Sequence, residues 1–479
     1  MQSLRQLWHA ILDIPNLGVY LAAGWIAYLV LLGGWIILQK REPVATLSWL
    51  MGLALLPYLG FLVYHFFGPQ RIQRQTLRRA RHHVALSPAA GDSGHADAAE
   101  LARLSQAASG LSATSVRDVR LLVDGAAKYD ALLADIRGAR QHVHLEYYIY
   151  EPDRTGAALR DALVERARAG VKVRLLLDAV GSASAKRFFG ALVDAGGELA
   201  WFHPLRWGRV WQRPWLNLRT HRKIVVIDGR IGYAGGMNIS DEQDERLEPL
   251  AYRDLHLRIE GDAVRVLQGV FADDWAYATD DHDFMADLAR ETPPVQHDPI
   301  PAQVLVSGPD STWEAIHRLH VAAIYAARER VWLTTPYFVP GEAAMMALTS
   351  AALGGLDVRL LVPRMSDSRL VTLAARSYFG PLLQAGVKVY EYGPRLLHSK
   401  SLLVDDHFAL IGSANFDHRS FRLNFEVSIL FDAPGIAAEL ASVIEREFAH
   451  APRVHRDGKR SLLRDRLPEA MARLLSPIL

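Results

Sequence analysis

One eighteen-residue pattern occurs twice in this chain, and that recurrence limits the possible fold more than any other feature. The first copy runs from His221 to Asn238, HRKIVVIDGRIGYAGGMN, and the second from His398 to Asn415, HSKSLLVDDHFALIGSAN. His221, Lys223 and Asp228 stand in the spacing H-x-K-x4-D, and so do His398, Lys400 and Asp405. Gly236 and Asn238 close the first copy, and Ser413 and Asn415 stand at the matching places in the second. A repeat of about 180 residues is far longer than a solenoid unit and implies a duplicated domain. Two halves packed about a pseudo-two-fold axis would bring both copies to one cleft, and each half would be incomplete alone.

These residue types suit chemistry on a phosphodiester. A fixed ammonium offsets the repulsion that an incoming nucleophile meets at an anionic phosphate. Histidine titrates near neutrality, so one copy can attack phosphorus while the other protonates the leaving alkoxide. The near-symmetry of the copies leaves open which does which; His221 is taken as nucleophile and His398 as acid and then base. In an extended segment His221 and Lys223 share a face, whereas Asp228 has the opposite parity. Asp228 and Asp405, although part of the catalytic motif, are therefore expected to be turn or support carboxylates. The orienting acid must come from elsewhere, and each half has one at the start of its next predicted strand, Asp254 in YRDLHLRI and Glu426 in NFEVSILF. Each is assigned to the histidine that precedes it. Asn238, Asn415, Ser413 and the backbone at Gly236 are expected to bind the phosphate, and Asp241-Glu242 to contact a substrate hydroxyl or cap a helix.

The doubled pattern resembles the phospholipase D superfamily and, within it, the bacterial cardiolipin synthases. The likeness includes NLRTHRKIVVIDGRIGYAGGMNISDE, the FADDW segment at 271–275 and the terminal LLSPIL. It implies a phosphatidyl-histidine intermediate, phosphatidylglycerol as donor and acceptor, release of glycerol, and no cofactor. A hydrolase of the same type, or a phosphatidyltransferase with another acceptor, shares the motifs. So does a phosphodiesterase acting on nucleic acid, against which stand the apolar N-terminus and a net charge of only +2. A non-catalytic scaffold would be expected to carry decayed motifs, and both copies are intact.

The fold expected is α/β: duplicated phospholipase D-type sandwich halves over 113–290 and 291–479, preceded by a membrane hairpin over 1–68 and a basic juxtamembrane segment and linker over 69–112. Residues 17–38 and 44–67 are uncharged apolar runs long enough to cross a bilayer core as helices, the second containing Pro57. The first is too long for a signal peptide and lacks an A-x-A site. Lys40 and Arg41 lie between the runs, whereas Arg5 precedes them and Arg71, Arg74, Arg78, Arg79 and Arg81 follow. Both ends, and the catalytic part, are thus expected on the cytoplasmic side of a bacterial inner membrane. The arginines and the Trp/Arg-rich stretch 201–215 suit anionic lipid headgroups. A homo-oligomer is compatible with the sequence.

Within each half, strands and helices alternate in the same order: strands at 119–123, 142–150 and 171–178 with helices at 126–139 and 155–169, then strands at 303–307, 331–339 and 358–362 with helices at 312–327 and 342–352. A helix is expected at 98–107 within the linker. The absence of cysteine removes disulfides, thiol nucleophiles and thiolate-bound metal. No catalytic metal is expected, since a lysine two residues from each histidine disfavours a divalent cation; His142 and His144 are read as strand packing. The basic stretch 453–473 is expected to form an amphipathic surface helix interrupted at Pro468.

Overall fold

The computed structural model describes residues 15–38, 43–56, 59–67, 96–204, 218–281, 284, 298–311, 313–455 and 461–476. The arginine-rich stretch 71–81 and most of the Trp/Arg stretch, residues 205–215, lie outside these. The chain divides into an N-terminal apolar unit and an α/β body. In the first unit, helix Leu17–Leu38 is long and apolar enough to cross a membrane. The second apolar run forms two shorter helices, Pro43–Leu55 and Leu59–Phe67, on either side of Pro57. Proline lacks the backbone N–H that an unbroken helix uses, and the two helices have separate bounds on either side of it in the sequence.

In the α/β body the strands of the first half are β1 (Thr114–Val116), β2 (Asp118–Val123), β3 (His142–Tyr147), β4 (Lys172–Asp178), β5 (Glu198–Phe202), β6 (Ile224–Ile227), β7 (Ile231–Gly235) and β8 (Leu255–Glu260). Those of the second half are β9 (Ile300–Ser307), β10 (Arg330–Thr334), β11 (Phe338–Val339), β12 (Asp357–Pro363), β13 (Lys388–Tyr392), β14 (Ser401–Val404), β15 (Phe408–Gly412), β16 (Phe416–Asp417) and β17 (Glu426–Asp432). One sheet has the order β2-β8-β7-β6-β3-β4-β5 and the other β9-β17-β15-β14-β10-β12-β13, with β1 added beside β9. Apart from β1 the two orders are the same topology repeated, so the duplication read from the motifs is present in the sheets.

The central strands β6 and β14 are buried throughout. Ser401 aside, they are apolar throughout because both sheet faces are covered, as mixed α/β layers require. Apolar side chains of β6, β8 and helix Ala263–Thr279 share a core with β14, β15, β17 and helix Pro434–Ala449. The two halves therefore bury one another's sheets.

Two expectations need adjustment. The long strand expected at 142–150 ends at Tyr147, and the one at 331–339 is interrupted after Thr334, where Pro336 follows. Helix Ala96–Ser109 does not stand alone in a linker: Ala98 and Leu101 are buried with Ile316, Leu319 and Ala323 of the second half. That linker helix and β1, from the start of the first half, are thus both built onto the second half.

Candidate active site

Each motif histidine is set in place by a short strand pairing between the halves. Thr220 bridges Phe425 in parallel, and Arg253 bridges Leu397 in the same way. The His221 N–H donates to the Phe425 carbonyl at 2.9 Å, and the His398 N–H donates to the Arg253 carbonyl at 2.7 Å. Phe425 and Arg253 are the residues just before Glu426 and Asp254. This pairing puts each histidine beside the acid of the other half. His221 Nδ1 lies 2.9 and 3.0 Å from the two carboxylate oxygens of Glu426. His398 Nδ1 lies 2.5 Å from Asp254 Oδ2. The within-half assignment of acids is therefore corrected: the pairs are crossed. Spacing along the chain cannot reveal this, because the exchange occurs between segments about 150 to 200 residues apart.

The junction is held by a charged clamp. Arg253 reaches Glu447 at 2.9 Å and Asp124 at 2.6 Å, and Arg395 bonds Asp124 and the Ala251 and Tyr252 carbonyls. Arg222 donates across the junction to the Glu426 carbonyl at 3.3 Å and pairs with Asp274 of the FADDW segment in its own half, both side chains buried. A charge removed from water needs such a partner, which accounts for the acid inside that helix.

The lysines lie beside their histidines. Lys223 Nζ donates to the His221 carbonyl at 2.7 Å, and Lys400 Nζ donates to the His398 carbonyl and lies 3.7 Å from Asp254. Burial brings Lys223 down to about 7 and Lys400 to about 8. An entering phosphodiester would supply the missing negative charge and favour both ammonium forms.

The two imidazole–carboxylate pairs differ electrostatically. Burial, reinforced by Lys223 and Lys400, pushes the His221 imidazole well below its ordinary value. Its partner Glu426 is raised by burial to about 7 against the pull of Lys223. Burial and Lys400 also lower His398, but Asp254 opposes them. Burial alone would raise Asp254; Lys400 and His398 outweigh it and hold that carboxyl below its usual range. His221 is thus poised as a neutral base, and His398 faces an ionised acid.

Ser413 and Gly236 serve the acids. The Ser413 hydroxyl donates to Glu426 and accepts the Val427 N–H at 3.0 Å, so it is a carboxylate support and not the phosphate ligand expected. A Cβ at Gly236 would lie 2.3 Å from Asp254 Oδ1; glycine there makes room for the acid. Asn238 Oδ1 accepts the Ile149 N–H at 3.3 Å, and the buried side-chain oxygen of Asn415 meets no donor among the described residues. Asp228 and Asp405 stand at the far ends of β6 and β14 from the histidines. Asp228 accepts the N–H groups of Arg140, Gln141 and His142, and Asp405 those of Arg328, Glu329 and Arg330. Both have positive φ, +52° and +53°, as tight hairpin turns require. Although they belong to the motif, they support the sheets and touch neither imidazole.

Asp241 accepts the Thr155 N–H and hydroxyl at the start of helix Arg154–Arg168, the capping alternative of its two expected roles. His142 and His144 both hydrogen-bond Gln268. Three further residues at the site carry no motif signal of their own. Tyr148 packs edge-on against His221 with ring centroids 5.1 Å apart, and Tyr252 lies 5.5 Å from His398. Lys128, fully buried, donates to the Met237 and Asn238 carbonyls at 3.1 and 2.8 Å. Tyr252 was within reach, two residues before Asp254; nothing in the pattern around Lys128 distinguishes it from a surface helix residue.

With each Nδ1 turned to a carboxylate, Nε2 is the nitrogen each ring leaves toward a substrate, and the two repeats contribute one imidazole each to an arrangement chemically able to carry phosphoryl transfer. Comparison with known proteins agrees. Residues 132–251 and 321–450 match the family described as cardiolipin synthase, PLD-like domain, and residues 25–69 match the phospholipase D-nuclease N-terminal family. Cardiolipin synthase 2 of Bacillus cereus is 39% identical over 466 residues, covering 94% of this chain and 90% of that protein. Cardiolipin synthase of Halalkalibacterium halodurans is 36% identical over 495 residues, covering 97% and 98%. Among solved structures, phosphatidylserine synthase from Haemophilus influenzae shares the fold, with a TM-score of 0.59 at 14% identity over 79% of this chain and 100% of that one. The chain belongs to the cardiolipin synthases, phosphatidyltransferases of the phospholipase D superfamily.

Proposed function

We propose that the protein makes cardiolipin from two molecules of phosphatidylglycerol, with His221 as nucleophile. The observation that carries this reading is the crossed pairing, which holds two imidazoles with Nε2 available and places them in unlike fields. His221 Nε2 attacks the phosphorus of the first lipid, and the phosphorus–oxygen bond to its glycerol headgroup breaks. His398 gives its proton to the departing glycerol oxygen. The second phosphatidylglycerol then presents a headgroup hydroxyl, whose proton returns to His398 as its oxygen attacks phosphorus and the phosphorus–nitrogen bond breaks. Lys223, Lys400, Asn238 and Asn415 bind the non-bridging oxygens through both steps. Glu426 and Asp254 fix the tautomers and stabilise the imidazolium that each step creates.

Water competes with the lipid hydroxyl for the intermediate, so a synthase must hold its acceptor in place. The apolar N-terminus and the arginines around it support a multi-pass chain with the catalytic body on the cytoplasmic side. Purified protein added to phosphatidylglycerol vesicles should yield mainly cardiolipin and glycerol, without nucleotide or chelatable metal, as read by lipid mass spectrometry. Excess glycerol should slow net synthesis by reversing the first step. Mainly phosphatidic acid would identify a hydrolase, and a requirement for phosphatidylethanolamine would replace the proposed acceptor.

A further inference from the structure

The C-terminal helix is built inside out. A π-helical turn, Leu462–Arg466, leads into helix Leu467–Leu474, which accepts Pro468 in its first turn, where no backbone donor is needed. The interruption expected at Pro468 is thus a helix start. The helix packs against helix Arg369–Ser377. The side turned inward carries Glu469, Ala472 and Ser476, all buried, with Ser476 accepting the Tyr378 hydroxyl at 3.0 Å. Leu467, Met471 and Leu474 recur at i, i+4 and i+7 on the opposite side. Together with Leu462 and Leu463 they are exposed, Leu463 by 73%, Met471 by 61% and Leu474 by 79%. A helix that buries a glutamate and a serine while presenting a row of leucines to the outside is not folded for water.

Its charges indicate what covers that row. Arg464, Arg466 and Arg473 lie among the leucines, and the acids of the segment are Asp465 and the inward-turned Glu469. Arg473 lies over the Tyr378 ring with its guanidinium 4.6 Å from the centroid. A second copy of the same surface would bring arginine against arginine, whereas an anionic bilayer satisfies both the apolar row and the cations. We propose that residues 462–475 lie in the headgroup layer of an anionic membrane, a second lipid contact separate from the N-terminal apolar helices. The contact bears on catalysis through helix Arg369–Ser377. The loop preceding that helix carries Asp367, which accepts the Tyr337 hydroxyl at 2.8 and 2.7 Å and whose charge is felt at Lys400. This rests on the reading that the substrates are membrane lipids.

The native chain has no cysteine, so full-length Leu463→Cys, Leu474→Cys and, as a control on an exposed helix, Asp161→Cys can each take one environment-sensitive fluorophore. The labelled proteins are reconstituted into phosphatidylglycerol/phosphatidylethanolamine vesicles, and cardiolipin output is measured in the same samples. Labels at 463 and 474 should be quenched by spin-labelled lipid and shielded from iodide, and the label at 161 should show the reverse. Iodide access at 463 and 474 without lipid quenching overturns the proposal. Self-quenching that rises with protein density, again without lipid quenching, overturns it in favour of a second copy. The labels report position whether or not cardiolipin forms, so failure of the substrate reading is seen separately. Replacing Leu463, Leu467, Met471 and Leu474 together by glutamate should lower the rate on these vesicles by roughly tenfold, through lost orientation, and leave the rate on short-chain phosphatidylglycerol in micelles unchanged.

Discussion

The two halves of the active site share a topology and a motif but not an electrostatic setting. At His398, Asp254 is short, sits against Gly236, and is kept ionised by Lys400 and the imidazole. At His221, the longer Glu426 fills the corresponding place, is held by the Ser413 hydroxyl, and is pushed up by burial to about 7. The comparison teaches how a duplicated fold divides labour. The repeat supplies two equivalent imidazoles, and their acids differ in what prevails around them: burial at Glu426 despite Lys223 and Ser413, and Lys400 with His398 at Asp254. A neutral imidazole suits attack on phosphorus, and one facing an ionised carboxylate suits carrying a proton.

The largest effects should come from the histidines themselves. His221→Ala and His398→Ala should each lower cardiolipin formation by more than about 1,000-fold, because nucleophile and acid act as a unit. A phosphatidyl ester with a nitrophenol leaving group, which needs no acid, separates them. His398→Ala should still release one equivalent of nitrophenol, and His221→Ala none.

Replacing the acids tests the crossing. Asp254→Asn and Glu426→Gln should each lower turnover by roughly 10² to 10⁴-fold with the fold intact. Their pH profiles should differ. The first step needs protonated His398 and fails as pH rises through its pKa. Asp254 raises that pKa, so Asp254→Asn should move the alkaline limb of single-turnover rates to lower pH. Glu426→Gln should leave that limb in place. The opposite result would restore the within-half pairing.

Exchanging the small residues should have intermediate effects. Gly236→Ser pushes a side chain into Asp254 and should cost roughly 100-fold in rate, whereas Ser413→Gly loses one hydrogen bond to Glu426 and should cost roughly tenfold. The smallest effects on chemistry should come from the motif aspartates. Asp228→Asn and Asp405→Asn each lose charge-assisted bonds to three backbone N–H groups. They should lower unfolding stability by about 1–3 kcal/mol in thermal melts while sparing the rate per folded molecule.

Much of this architecture is legible in the amino-acid sequence. The repeat, the α/β alternation, the support role of Asp228 and Asp405, and Asp254 and Glu426 as candidate acids all follow from residue type, spacing and parity. Three kinds of feature were hidden. The crossing of His221 to Glu426 and His398 to Asp254 depends on how two repeats dock, which a pattern within one repeat does not encode. The role of Ser413 is not encoded locally, because a hydroxyl beside a phosphate site serves a carboxylate or a substrate equally well and only its neighbours decide. Helix Ala96–Ser109 and β1 join the second half through contacts with Ile316, Leu319, Ala323 and β9, far along the chain, and local composition there reads only as a linker.

The central claim, that unlike fields make His221 the nucleophile, is tested most directly by locating the covalent intermediate. Wild-type enzyme turning over phosphatidylglycerol is quenched, digested, and its phosphatidyl adduct mapped by mass spectrometry under conditions that preserve phosphorus–nitrogen bonds. The adduct should lie on the peptide containing His221, and finding it on His398 would contradict the account.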